Sequence, residues 1–307
     1  GSDAIAGVIN IITKRPGIKK INGNLSAAYG SYETFRGNAG INGRTGKVDY
    51  NAAYAVHRTN GINEAVSKNN SPATDKDGFD QHNVQLSLGI RPNEKIQVQP
   101  FFRYNNSKGD IDQGAFTDEL DYIYTQKSWQ TGLKNQFLIG KTNLVVLYSY
   151  NNIDRLYTDD STKSRNGFDT WSQGKYKGHE HFADAYITVP LSPELKLTAG
   201  IDFRSSESDQ QYSSIGFFGP YKTEYGSDSL NQDQTGLYAA LNWNDGSGFN
   251  AEAGGRVNFH SEYGSYAVFN FNPSYLINQK VKVFANLSSA YRTPSLYQIF
   301  SEYGNKE

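Results

Sequence analysis

Hydrophobic alternation with a period of two, sustained over segments longer than an ordinary strand, constrains this chain more than any other feature. In 83–90 the apolar residues are Val84, Leu86, Leu88 and Ile90, with Asn83, Gln85, Ser87 and Gly89 between them. The next segment places Ile96, Val98, Phe102 and Tyr104 on one face, and Gln97, Gln99 and Arg103 on the other. About thirteen such segments are predicted, near 21–30, 33–43, 47–57, 83–91, 95–105, 128–140, 143–152, 179–189, 195–204, 235–243, 249–259, 266–275 and 280–291. Each is roughly nine to thirteen residues long, where an ordinary strand has about five or six. A tilted strand crossing hydrocarbon needs about nine to eleven. The predicted fold is all-β, a transmembrane antiparallel β-barrel.

The connections repeat the pattern. Short turns are predicted at 44–46, 92–94, 141–142, 191–194, 244–248 and 278–279, and long polar loops at 58–82, 106–127, 153–178 and 205–234. Two further connections, near 31–32 and 260–265, are brief, but every long loop falls on one side. Outer-membrane barrels have this asymmetry, with short periplasmic turns and longer extracellular loops. Charge placement agrees. An Arg or Lys on the lipid face costs about 2–4 kcal/mol at the midplane and little on the lumen face. With the apolar parity taken as outward, Arg36, Asp49, Arg103, Lys134, Asp184, Lys196, Asp202, Glu252, Arg256 and Lys282 all fall inward. A soluble sandwich would also alternate, but with shorter strands and its apolar face in a core.

Composition fits strands that are greasy on one face only: 22 Tyr, 17 Phe and 30 Gly accompany a mean hydropathy of -0.65. A net charge of -1 argues against a nucleic-acid partner. No run of about 18 apolar residues is present, so no transmembrane helix is predicted. The chain has no cysteine, hence neither a disulfide framework nor a thiolate metal site. Gly1 does not read as a natural start, and an odd strand number leaves the last strand pointing outward. The expectation is therefore an internal piece of a longer protein, with an incomplete barrel.

The two ends carry a resemblance. Residues 1–14, GSDAIAGVINIITK, resemble the last plug segment of TonB-dependent outer-membrane receptors, which leads into the first barrel strand. Residues 290–305, AYRTPSLYQIFSEYGN, resemble the outward end of a mid-barrel strand and its loop in that family, closest to its cobalamin-receptor branch. The resemblance implies a 22-stranded barrel occluded by a plug. Residues 1–17 would be the C-terminal end of the plug, and 18–307 the N-terminal part of the barrel. Val8, Ile9, Ile11 and Ile12 form the continuous apolar run of a buried strand, and Pro16 and Gly17 break it. The implied function is import of a large scarce nutrient, driven through the TonB complex by a box outside this sequence. Cobalamin or a related corrinoid leads as cargo, with a ferric siderophore or haem as the alternative. A passive porin or adhesin is less consistent with a plug. Lipid and lipopolysaccharide would surround the barrel, and a surface lipoprotein could cap it.

Candidate sites lie in the long loops. TDKDGF at 74–79 sets Asp75 and Asp77 two apart beside Gly78, the oxygen cluster around a tight turn that a hard cation requires. The resemblance adds calcium, with Asp110 and Asp121 as further ligands and Asp112 competing with Asp110. The alternative is a hydrated acidic loop. Tyr212, Phe217, Phe218 and Tyr221 are loop aromatics that could stack on a bulky ligand or pack the loop. Arg292 and Tyr297 are ligand-contact candidates on the resemblance. His179 and His181 share a strand face but lack a third metal ligand, so the rim is the expected place for them. Asp159, Asp160 and Asp209 read as solvated loop charges. Tyr29, Tyr104, Trp243 and Tyr291 read as an interfacial girdle with outward parity. No G-x-S-x-G, H-E-x-x-H or phosphate-loop pattern occurs, so no enzyme is predicted.

Overall fold

The computed structural model describes residues 19–65, 75–116, 118–160 and 169–300, so the expected plug segment at 1–17 lies outside the described residues. The strands are β1 (Asn22–Gly30), β2 (Thr34–Thr45), β3 (Val48–Thr59), β4 (Phe79–Asn93), β5 (Ile96–Asp110), β6 (Tyr122–Ile139), β7 (Thr142–Asp159) and β8 (Asp169–Pro190). They continue with β9 (Leu195–Gly216), β10 (Gly219–Tyr225), β11 (Asn231–Asn244), β12 (Phe249–His260), β13 (Gly264–Ile277), β14 (Val281–Phe284) and β15 (Leu287–Ser288), followed by one short helix, α1 (Leu296–Phe300). They form one antiparallel sheet in which each strand pairs with the next in sequence. The exceptions are β10, a hairpin extension on the outer part of β9, whose inner part pairs with β11, and β15, which pairs with β13 beyond β14. This meander is the barrel topology that the alternation predicts.

The register assigns each side chain to a face, because directly opposed residues point the same way. One row reads Tyr50, Leu88, Pro100, Leu133, Tyr148, Ala183, Phe203 and Thr235 from β3 through β9 to β11. Along β9 this face carries Leu195, Leu197, Ala199, Ile201 and Phe203, roughly 27 Å of strand at ~3.4 Å per residue. Tilted by about 40°, that spans ~20 Å, close to the apolar band of an outer-membrane barrel. Large apolar residues on this face stand exposed, among them Leu86, Leu133, Ile187, Ile201, Leu237 and Phe269. All ten charged residues expected inward lie on the opposite face. The lipid face and the lumen face are thus separated by parity alone.

The charged face is concave, since its side chains meet across an intervening strand. Arg256 on β12 passes over β11 to Asp202 on β9, with Nη1–Oδ2 at 2.5 Å and Nη2–Oδ1 at 2.7 Å. Tyr238 on β11 passes over β9 and donates to Asp184 on β8 at 2.7 Å. Glycine clears both paths. A Cβ on Gly236 would sit 2.0 Å from Arg256 Nη2, and one on Gly200 would sit 2.6 Å from the Tyr238 hydroxyl. The Arg256 guanidinium lies 5.6 Å from the Tyr238 ring centroid, which ties the two links into one cluster.

Several expected loops are strand. β7, β8 and β9 continue well past the charged outward row Lys127, Asp154, Lys177 and Asp209, so much of 153–178 and 205–234 is hydrogen-bonded ladder. At the other end, the segment expected at 280–291 breaks into β14 and β15. Tyr291, expected outward, stacks on the inward-facing Tyr266 at 4.9 Å. Tyr29, Tyr104 and Trp243 keep the outward parity expected of them.

Candidate functional site

The lengthened strands build a wall above the apolar band, and its inner face is lined with tyrosine. β6 supplies Tyr122 and Tyr124, β7 Tyr157, β8 Tyr176, β9 Tyr212 and β10 Tyr221, all with inward parity. Their rings form a chain: Tyr124 to Tyr157 at 6.2 Å, Tyr157 to Tyr176 at 6.0 Å, and Tyr176 to Tyr297 at 5.5 Å. Tyr212 meets Tyr221 at 6.3 Å. Tyr122, Tyr157, Tyr176, Tyr212 and Tyr297 border a cavity of about 900 Å³, which Gln113, Arg155, Asp159 and Gln210 also line. A surface of aromatic faces edged with hydroxyls suits a large ligand that both stacks and hydrogen-bonds.

Of the candidates for ligand contact, Tyr212 and Tyr297 border this cavity, and Tyr212 and Tyr221 are strand residues rather than loop residues. Phe217 and Phe218 form the tip of the β9–β10 hairpin, 86% and 96% exposed, with their rings edge to face at 5.3 Å. They do not border the cavity. Arg292 lies apart from it, beside Glu180, Arg204, Gln232 and Gln234.

Beside the tyrosine wall the loops gather carboxylates. Asp75 and Asp77, in the connection before β4, face Asp112 and Asp118 from the connection between β5 and β6. Glu64 N–H donates to Asp77 Oδ2 at 2.6 Å, and Asn63 Nδ2 donates to Asp118 Oδ1 at 2.9 Å. Glu119, Asp121 and Asp159 form a second group, with one oxygen from each lying within 4.8 Å of the others. Asp159, read from sequence as solvated, is 4% exposed at the end of β7 and accepts a bond from Gln113 at 2.7 Å. It also belongs to the cavity wall, so the two features share a residue. Asp110 ends β5, where its carboxylate lies against Gly78; Asp112 is the residue whose charge bears on Asp75 and Asp77. Asp209 accepts the Ser227 N–H at 2.9 Å.

The electrostatics of the first group are those of crowded acids. Burial, a hydrogen bond with Asp118 and the charges of Asp118, Asp77 and Asp112 push Asp75 up to about 7. Burial also raises Asp77, against the opposing Glu64 backbone bond. Asp75 Oδ1, Asp77 Oδ1, Asp112 Oδ2 and Asp121 Oδ1 are buried oxygens that no donor reaches. Buried carboxylate oxygens normally find a partner, and an all-oxygen, strongly negative set is what a hard cation takes. The residues present fit such an ion.

His179 and His181 lie outward at the top of the apolar band, where Tyr150 and Tyr148 hydroxyls meet their Nδ1 atoms at 3.0 and 2.8 Å.

Residues 19–307 match the family model described as TonB dependent receptor-like, beta-barrel. The chain belongs to this family. Family membership places it in the bacterial outer membrane. The vitamin B12 transporter BtuB of Photobacterium profundum is 24% identical over 306 residues, covering 98% of this chain and 45% of that protein. The enterobactin-bound ferric enterobactin receptor PfeA of Pseudomonas aeruginosa (Q482A) superimposes with a TM-score of 0.72 at 16% identity, covering 99% of this chain and 49% of that one. The ferric yersiniabactin uptake receptor FyuA of Yersinia pestis gives a TM-score of 0.73 at 12% identity, covering 95% and 50%. The chain thus spans about half the length of the receptors it matches. At these identities the structural likeness concerns the fold of the receptor barrel.

Proposed function

We propose that this chain is the ligand-capturing part of a receptor that imports a large, scarce nutrient across the outer membrane with energy delivered through TonB. Cobalamin or a related corrinoid is the leading cargo. The observation that carries this reading is the 900 Å³ tyrosine-walled cavity next to a carboxylate cluster in which Asp75 Oδ1, Asp77 Oδ1, Asp112 Oδ2 and Asp121 Oδ1 are buried and reached by no donor. Flat aromatic faces offer van der Waals area to a rigid macrocycle, while tyrosine hydroxyls and the Gln113 and Gln210 amides offer hydrogen bonds to its periphery. Calcium would be held by Asp75, Asp77, Asp112 and Asp118, and by Glu119, Asp121 and Asp159. Its role would be to neutralise the loops and fix them beside the cavity. The relative named for vitamin B12 transport supports the choice of cargo. Outer-leaflet lipid, including lipopolysaccharide, would meet the outward band.

A ferric siderophore is the second reading, favoured by Arg155, whose guanidinium in the cavity wall suits an acidic chelate. Equilibrium binding to the intact receptor separates the two. Tight binding of cyanocobalamin that weakens when calcium is chelated supports the first. Binding of a ferric catecholate with no cyanocobalamin binding would establish the second in its place.

A further inference from the structure

Above the apolar band the outward face is not uniform around the sheet. Among the described residues, its unneutralised basic charge is confined to β5–β8. On β3 and β4 the outward Arg58 is paired with Asp80 at 2.6 Å, and His82 meets the same side chain at 2.8 Å. On β10 Lys222 is paired with Glu224 at 2.7 Å. The outward charges of β9 and β11 are Glu207, Asp209 and Asp233, all acidic. Between these regions β5, β6 and β8 present Lys108, Lys127, Lys175 and Lys177, all exposed and none in an ion pair among the described residues. The outward carboxylates beside them are Asp154, which stands between Lys127 and Lys177, and Asp110, which lies against Gly78 at the end of β5.

The lysines stand at nearly one level. Counted from the short turns, Lys108 is twelve residues beyond Ile96, Lys127 twelve before Ile139 and Lys177 thirteen before Pro190. At ~3.4 Å per residue and a tilt of about 40°, that is roughly 31 Å above the turns. The apolar band is about 25 Å tall, so the ammonium groups lie beyond it, at the level of lipid headgroups. Two strand spacings of ~4.8 Å separate Lys127 from Lys177, and Lys108 lies diagonal to Lys127. Lys175 is one outward position above Lys177.

Directly beneath the lysines the same face is aromatic. Trp129, Tyr150 and His181, on β6, β7 and β8, form a continuous platform with ring centroids 5.1 Å and 4.8 Å apart. Lower still, Ala183 and Ala185 lie between Tyr148 and Val146 on one side and Phe203 and Ile201 on the other, a shallow slot in the apolar band. Slot, platform and cations succeed one another from the band towards water. Each suits one part of a single molecule: an acyl chain, a sugar ring whose C–H face rests on electron-rich aromatic faces, and phosphates.

We propose that the outward face of β5–β8 binds an acylated, phosphorylated sugar of the outer leaflet, the lipid A part of lipopolysaccharide. Four lysines against two carboxylates leave the patch positive, which complements the phosphates. A phospholipid would satisfy the lysines and the slot but leave the ring platform unused. The site rests on the assignment of the outward face to lipid, with lipopolysaccharide as a neighbour of the band. The imported cargo does not enter it.

The intact receptor, purified in an uncharged detergent, is titrated with bisphosphorylated lipid A and with phosphatidylglycerol, and bound lipid is read by native mass spectrometry. Lipid A is expected to bind at least tenfold more tightly than phosphatidylglycerol. Lys127→Gln combined with Lys177→Gln should abolish that margin. Trp129→Ala should weaken lipid A at least threefold while leaving phosphatidylglycerol unchanged. Arg58→Gln, which removes a charge already paired, should change neither. Each variant is first shown to be folded by its mobility in unheated electrophoresis. Unchanged lipid A affinity in the double lysine variant would overturn the site, and so would equal binding of the two lipids by the unaltered receptor. Ile201→Arg, measured for stability in lipid, tells the two levels of failure apart. A site that fails while Ile201→Arg is destabilising falls alone, whereas a harmless Ile201→Arg would take the lipid-face reading down with it.

Discussion

Asp75 shows how strongly a side chain depends on neighbours remote in sequence. Its usual value of 3.8 rises to about 7 because burial and the carboxylates of Asp118, Asp77 and Asp112 disfavour its charge. Between those two values the folded loop holds a proton that the unfolded loop has released, so stability falls as pH rises through that window. In calcium-free buffer, the protection of the amides at 75–78, taken relative to their intrinsic exchange rate at each pH, should therefore fall from pH 4 to 7, and millimolar calcium at neutral pH should restore it. Protection that is unchanged by both variables would remove the cation from the site. The Arg256–Asp202 pair makes the opposite point, since its charges match. Asp202→Ala would strand a guanidinium that is 19% exposed, with an expected loss of order 3 kcal/mol. Asp202→Ala combined with Arg256→Met should lose less than the single change, as read by urea unfolding of the receptor in detergent.

The strands report on their surroundings unevenly. Within the membrane the two faces of β4 or β12 meet different solvents, so the residues alternate and the elements are legible in sequence. Above the membrane both faces of β7 meet water or protein. Its outer stretch, Asp154, Arg155, Leu156, Tyr157 and Thr158, keeps its ladder bonds but loses the two-tone pattern. The outer halves of β8 and β9 and the whole of β10 were hidden for the same reason. The 280–291 stretch alternates well, yet it pairs with β13 only through β14 and β15. The Asp75–Asp77 pair was legible because its spacing is local. Asp112 and Asp121 were reached only through the family resemblance, and Asp118, Glu119 and Asp159 were not legible, because only the fold brings their loops together. Glycines in the inner wall carry their own test. Gly236→Ala places a Cβ 2.0 Å from Arg256 Nη2 and should break the ion pair, lowering the unfolding midpoint about as far as Asp202→Ala does. Gly255→Ala, on the outward face of the same strand as Arg256, meets nothing nearer than 3.8 Å and should leave the midpoint unchanged.

For the molecule as a whole, the governing fact is the division between an apolar outer face and a charged inner one. Ile201→Arg, near the middle of the outward band, should cost about 2–4 kcal/mol. Gln136→Arg, at the same height in the sheet register on the lumen face, should cost much less when folding is measured in the same lipid. Equal costs would contradict the assignment of faces. The 22 residues of β8 and of β9 also have a geometrical consequence. From His181 at the bilayer edge to Asp169, β8 climbs through roughly 40 Å of strand at ~3.3 Å per residue. β1 and β2, by contrast, are joined by the single turn Ser31–Glu33, and β12 and β13 by three residues at 261–263. Within this chain the rim is lopsided, like an amphitheatre with a single bank of seats. The phenolic rings ride on the high bank, so the height of these strands sets how far from the apolar band an aromatic contact can be made.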